Sequence, residues 1–120
     1  MQLDENKALA RRMYTAFNDR ELDVLDDLLA PDFVDHTAQP GQASGPAGLK
    51  QTWTWFHTAF PDVQIFIEEM LAEGDKVVSY VTFHGTQPHR EHTSLRGQMM
   101  EMIRIVDGKV AELWNIRRVN

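Results

Sequence analysis

Cysteine is absent from these 120 residues, which removes disulfides, thiolate nucleophiles and Cys-based metal sites together. The absence fits a reducing compartment, and a cytoplasmic protein is expected. No run of eighteen apolar residues occurs, and no apolar segment of the signal-peptide kind opens the chain. Neither a membrane-spanning helix nor a standard export signal is expected. Basic residues are few: 12 Lys and Arg against 18 Asp and Glu leave a net charge of −6. The basic pairs Arg11-Arg12 and Arg117-Arg118 are too short to line a phosphate-binding groove, so neither nucleic acid nor membrane is expected as a partner. Also missing are a nucleophile elbow, a phosphate-cradling glycine loop and a dinucleotide fingerprint, which disfavours covalent-serine and nucleotide-dependent chemistry. The length corresponds to one domain, residues 1–120, with no linker and no internal repeat.

What is present reads as helices followed by strands. Leu9, Met13, Ala16 and Phe17, with Ala10 and Tyr14 beside them, give helical spacing between Leu3 and Asn18, with Asp4 as the candidate N-cap. A short second helix carries Leu22, Leu25, Leu28 and Leu29 and stops at Ala30-Pro31. Phe33 to His36 is a short extended piece. Residues 37–48, TAQPGQASGPAG, form a loop by composition, long enough to be functional. A third helix starts near Pro46 with Leu49, Trp53, Phe56 and Phe60 as its apolar stripe and Trp55 off it. After Asp62 the period becomes two. Strands are expected from Val63 to about Leu71, from Lys76 to Thr86, from Gly97 to Val106 and from Lys109 to Val119, the last two joined by Asp107-Gly108. Helices first and an antiparallel meander after them make an α+β fold, three N-terminal helices packed on a curved sheet.

The last hairpin permits a register argument. A two-residue Asp107-Gly108 loop sets Val106 opposite Lys109, and unbroken pairing outward sets Glu101 opposite Trp114, Ile103 opposite Glu112 and Met99 opposite Ile116. One face then carries Met99, Glu101, Ile103, Glu112, Trp114 and Arg118. It is the more apolar face and is placed inward. Carboxylates there would be desolvated, which suits acid–base work. Glu112 with Arg118 can equally be read as a strand-end ion pair. His36, beside the long loop, is a proton-transfer candidate, with a purely structural histidine as the alternative. His89 and His92, with His84, have the composition of a metal site, but they fall in a polar loop and no metal is expected. Tyr14, Phe17, Phe33, Trp53, Phe56 and Trp114 fall on inward faces. Taken singly they read as core; together with interior polar groups they suit a flat apolar ligand.

The blocks FVDHTAQPG, GPAGLKQTWTWFHTAFPDV, EGDKVVSYVTFHGT and MIRIVDGKVAELWN, in that order, resemble the SnoaL-like polyketide cyclase and predicted ester cyclase family of the NTF2-like superfamily. The resemblance runs from about Asn6 to Asn115. It implies a cone-shaped α+β barrel and, in the cyclases, acid–base catalysis of an intramolecular aldol closure without a cofactor. The superfamily also includes isomerases, dehydratases, epoxide hydrolases and non-catalytic binding domains. By resemblance, Asp35-His36 matches the Asp-His after the second helix, Glu101 the acidic position of the third strand, and Glu112 with Trp114 the E-x-W. Many relatives carry an Asp four residues beyond that Trp, where this chain has Arg118.

The resulting expectation is a cyclase, isomerase or lyase acting on a small hydrophobic or polyketide-like carbonyl compound. His36 or Glu101 carries the proton, Asp35 and Glu112 assist, and Arg118 stabilises an oxyanion. Tyr14, Phe17, Phe33, Trp53, Phe56, Met99, Ile103 and Trp114 line the substrate site. A non-catalytic binding or dimerisation module is the alternative, favoured if those rings fill the interior. An epoxide-opening hydrolase, with Glu101 and Glu112 flanking a water, is the third. Family habit implies a homodimer through the outer sheet face, which the register argument assigns to Met100, Met102 and Leu113.

Overall fold

The computed structural model describes residues 2–87 and 94–120. Helix α1, Gln2–Asn18, buries Ala10, Met13, Tyr14, Ala16 and Phe17, the stripe that the helical period demands. It begins before Asp4, so Asp4 lies in the first turn, where its charge suits the helix dipole, and is not the cap. The side chain of Asn18 closes the helix by mimicking a strand. Its Oδ1 accepts from the Ile65 N–H at 2.7 Å and its Nδ2 donates to the Ile65 carbonyl at 2.9 Å. Helix α2 is a single turn, Val24–Leu28. Helix α3, Pro46–Ala59, has Pro at its start and buries Leu49 and Trp53.

Five strands follow the order β1-β5-β4-β3-β2 in one sheet. They are β1 Leu29–Asp35, β2 Gln64–Glu73, β3 Lys76–Thr86, β4 Ser94–Val106 and β5 Lys109–Val119. The first strand is longer than the extended piece expected at Phe33–His36, and it pairs parallel to β5. Leu29 and Ala30, expected to end the second helix, therefore belong to the sheet. The other neighbours are antiparallel. In β2, a register shift between Ile67 and Glu69 changes which residues face the helices. Val63 and Met70 are buried, while Phe66 and Leu71 are exposed. Gly97 pairs with Phe83, and a Cβ there would sit 2.5 Å from the Phe83 ring carbon Cζ. The missing side chain lets that ring lie across the strand.

The expected hairpin turn is present. Asp107 and Gly108 both take positive φ, 52° and 77°, as a type I′ turn requires. Val106 pairs with Lys109 and Ile105 with Val110, but Arg104 then pairs with Glu112, so Ala111 is an extra residue on β5. This bulge overturns the unbroken register expected for the hairpin. Beyond it Ile103 faces Leu113, Glu101 faces Asn115 and Met99 faces Arg117. A one-residue slip exchanges the two faces of a strand. Leu113, Asn115 and Arg117 therefore share the inner side with Glu101, while Glu112, Trp114, Ile116 and Arg118 lie on the outer side. Leu113 is 1% exposed and Ile116 78%, so Leu113 is no part of an outer face, whereas Met100 and Met102 are.

The bulge has a simple physical cause. Val110 and Leu113 are both buried and stand three residues apart, a spacing that regular alternation cannot turn to one side. Keeping strict alternation would instead have buried Glu112 and Arg118 and expelled Leu113. Burying charged groups costs several kcal/mol per ion, on the order of what Leu burial returns or more. The bulged register also sets Arg104 directly opposite Glu112, and Arg104 Nη1 donates to Glu112 Oε2 at 3.1 Å.

Candidate active site

Between the helices and the inner face of the sheet lies a cavity of about 70 Å³. α1 contributes Met13, Tyr14 and Phe17; α3 contributes Leu49, Thr52, Trp53 and Phe56. The sheet closes it with Val63, Ile65, Phe83, Met99, Glu101, Leu113, Asn115 and Arg117. The walls are mostly apolar, and Phe17 meets Trp53 edge-on with centroids 5.2 Å apart. Among these walls Glu101 is the one carboxylate.

Glu101 is 6% exposed. The Tyr14 hydroxyl donates to its Oε1 at 2.8 Å, and Asn115 Nδ2 donates to its Oε2 at 3.3 Å. Burial pushes the carboxyl up to about 7 because the charged form loses its water. The Tyr14 and Asn115 hydrogen bonds pull it back in part. The charge of Asp35 raises it further, and that of Arg117 lowers it. Tyr14 is held well above the ordinary tyrosine value, first by burial and then by the Glu101 charge, and so remains a phenol. Replacing Tyr14 with Phe removes a hydrogen bond that favours the carboxylate. The Glu101 midpoint in Tyr14→Phe, followed by side-chain carboxyl NMR, should therefore move upward; an unchanged or lower midpoint contradicts the contact.

Asp35 sits at the end of β1 beside this site without lining the cavity. Its Oδ1 accepts from the Thr37 N–H at 3.0 Å and the Thr37 hydroxyl at 3.1 Å, and its Oδ2 from Gln42 Nε2 at 3.0 Å. The Asn115 N–H in turn donates to the Thr37 hydroxyl at 3.2 Å. Asp35 thus ties the 37–45 loop to β5 and supplies charge to Glu101 from a distance.

The next residue, His36, points to the other side of the sheet. Its ring stacks on Trp114 with centroids 4.5 Å apart and planes 8° from parallel. Its Nε2 donates to Glu112 Oε1 at 2.9 Å. Glu112 is held below the usual carboxylate range, first by the His36 hydrogen bond and then by that from Arg104. Arg104 also reaches Asp75, its Nε donating to Oδ2 at 3.0 Å. His36, Glu112 and Trp114 therefore form an outer-face cluster, and the inward placement expected for Glu112, Trp114 and Arg118 is corrected by the bulge. Arg118 is exposed and pairs with Gln98 across the ladder. Glu112 and Glu101 lie on opposite sides of the sheet, so they cannot flank one water, and the epoxide-opening arrangement loses its second acid.

Of the expected lining, Tyr14, Phe17, Trp53, Phe56 and Met99 do face the cavity. Phe33 and Ile103 are buried in the core away from it. Asn115 and Arg117 went unanticipated. The signal that could have found them is the Val110/Leu113 spacing together with the Arg104/Glu112 charge match. His89 and His92 lie outside the described residues. Among the described residues no group of three or more His, Asp or Glu side chains could hold a metal, and no helix is long and apolar enough to cross a membrane.

A curved five-stranded sheet, helices filling its concavity and one buried acid in an apolar cavity define an NTF2-like cone-shaped α+β protein. The family model for SnoaL-like polyketide cyclases matches residues 7–117, and the chain belongs to that family. No curated protein matches it. A protein of Bacillus cereus ATCC 10987 provisionally named a polyketide cyclase superposes with TM-score 0.86 at 26% identity, over 94% of this chain and 74% of that one. AclR of Streptomyces galilaeus, provisionally named a hydroxylase, gives 0.84 at 27% identity, covering 98% and 81%. IdmH of Streptomyces antibioticus, provisionally named a polyketide cyclase, gives 0.83 at 25% identity, covering 93% and 91%.

Proposed function

We propose that the protein is a cofactor-independent acid–base enzyme that closes or isomerises a small, mostly apolar carbonyl compound through an enolate, with Glu101 as the proton carrier. The observation that supports this reading is the geometry of Glu101: a buried carboxyl at an apolar cavity, held by Tyr14 and Asn115, whose proton affinity falls near neutrality. A base poised there combines an adequate ionised fraction with useful basicity.

As a carboxylate, Glu101 takes the proton from a carbon between carbonyl groups. The enolate carbon then attacks a second carbonyl of the same molecule, a carbon–carbon bond forms, and the protonated Glu101 returns its proton to the new alkoxide. Asn115 Nδ2 spends one N–H on Glu101 and can turn the second to the developing negative oxygen, while the Tyr14 hydroxyl, with a single proton, stays on Glu101. The interior is not filled by its aromatic rings, the arrangement that would have suited a non-catalytic module.

Exchange of the α-proton for deuterium, followed by NMR on a panel of neutral aryl 1,3-diketones and β-keto esters, tests the role directly without requiring the natural substrate. His36→Gln should exchange within about threefold of the native rate, since His36 touches only the outer face and surface changes are mild. A His36→Gln variant as inert as Glu101→Gln would overturn the choice of Glu101 over His36.

A further inference from the structure

A second, wider cavity of about 560 Å³ opens beyond the first. It lies between the 37–45 loop, the outer flank of α3 and the end of β5, and its size is that of a site for a drug-sized ligand. Thr52, Phe56 and Arg117 line both cavities and form the neck between them. The outer walls carry amides from Gln39, Gln42 and Gln51 and aromatic surface from Trp55 and Phe60, but no carboxylate among the described residues.

Arg117 stands out in this neck. Among the described residues it is the one cation in either lining; it is half-buried, and its guanidinium carbon lies 5.4 Å from the Phe56 ring centroid. Among the described residues none accepts a hydrogen bond from it and none forms an ion pair with it. The two nearby carboxylates are already engaged, Asp35 by Thr37 and Gln42, and Glu101 by Tyr14 and Asn115. A guanidinium presents five N–H donors in a planar fork that matches a carboxylate. Here that fork is held over an aromatic face, with no acceptor for its donors among the described residues.

We propose that Arg117 is the anchor for an anionic group on the substrate, and that the substrate class is a planar, otherwise apolar carbonyl compound bearing a carboxylate. The carboxylate sits in the neck, the bulk of the ligand stacks in the outer cavity against Trp55, and the reacting carbonyl end enters the inner cavity. Arg117 follows Asn115 by two residues on the same strand face, so the anchor lies about 7 Å from the strand position facing Glu101. That span separates the carboxylate from the reacting carbon by a few bonds. The inference rests on reading the Glu101 cavity as the reaction site, because the neck leads to it.

Titration of the protein with 3-hydroxy-2-naphthoate and with its methyl ester, by calorimetry or tryptophan fluorescence, separates the charge from the ring system. The free acid should bind at least about tenfold more tightly than the ester, as expected for charge-assisted hydrogen bonds. Arg117→Met should lose that advantage while leaving ester binding intact, Arg117→Lys should retain part of it, and Arg118→Met should change neither. Equal affinity for acid and ester, no binding of either, or equal loss of both in a folded Arg117→Met protein overturns the anchor. These titrations read binding alone, whereas the exchange of neutral diketones reads Glu101 alone, so either idea can fail without the other.

Discussion

Glu101→Gln should lower turnover about 10²- to 10⁴-fold, the usual contribution of a positioned acid–base group. It should also become more stable than the native protein as pH rises. The amide keeps the volume and still accepts from Tyr14, but cannot carry a proton to and from substrate. The stability effect follows from linkage. In the unfolded chain the carboxyl ionises near 4.5, whereas in the fold it holds its proton to about 7. Between those values the native state binds more protons than the unfolded state, so stability falls as pH rises. The loss begins above about 4.5 and levels off above about 7. Its full size, comparing native protein with Glu101→Gln, is about 3 kcal/mol.

Carboxylates whose values are lowered in the fold behave in the opposite way. Asp75 and Glu112 have lowered values and lose their contribution as pH falls, but they are common to both proteins and cancel in the comparison. Urea unfolding at pH 4.5 and at pH 8.5 checks the prediction. The difference between the two proteins should grow in favour of Glu101→Gln at the higher pH. A difference independent of pH would mean that Glu101 ionises in the fold as it does in water.

Deletion of Ala111 together with Glu112 should have a still larger effect on the fold. Deleting Ala111 alone removes the bulge but leaves Glu112 opposite Arg104 in unbroken pairing, so Leu113, Asn115 and Arg117 keep their inward side. Deleting both brings Leu113 opposite Arg104, so Trp114, Ile116 and Arg118 turn inward and Leu113, Asn115 and Arg117 turn outward. Expelling Leu113 forfeits about 2 kcal/mol of apolar burial, and burying Arg118 without a partner costs several kcal/mol more. Together these approach the whole stability of an ordinary domain, about 5–15 kcal/mol. The double deletion is expected to yield little folded protein by circular dichroism and to lack a cooperative thermal transition, whereas the single deletion should fold with only a modest loss. A double deletion melting at the native temperature would show that something other than strand parity sets the faces of β5.

The parts of the molecule readable from sequence are those governed by local periodicity. The stripes Ala10–Met13–Tyr14–Phe17 and Leu49–Trp53–Phe56 follow the 3.6-residue period, and α1 and α3 present them to the sheet. In β4 the alternation of Met99, Glu101, Ile103 and Ile105 is unbroken, so the inward placement of Glu101 follows from the apolar partners that share its parity. Asp107-Gly108 identifies the turn because few dipeptides adopt two positive φ values. The family resemblance lies in these same segments, and so the fold was legible.

Features that depend on partners remote in the chain were not. The Leu29–Asp35 strand contains Pro31 and no hairpin joins it to its neighbour to reveal its pairing; only its parallel contact with β5, some eighty residues away, makes it a strand. The face of β5 was reversed because strand parity is binary. One inserted residue inverts every side chain beyond it, and the energy that places the insertion comes from Arg104, Asp75 and the apolar concavity together. Sequence alone therefore determined the order of elements, the turn and the buried acid, since each is decided by neighbours within a few residues. Tertiary structure alone decided that His36, Glu112, Trp114 and Arg118 gather outside while Asn115 and Arg117 join Glu101 within, because the cost of burying charge is settled across the sheet.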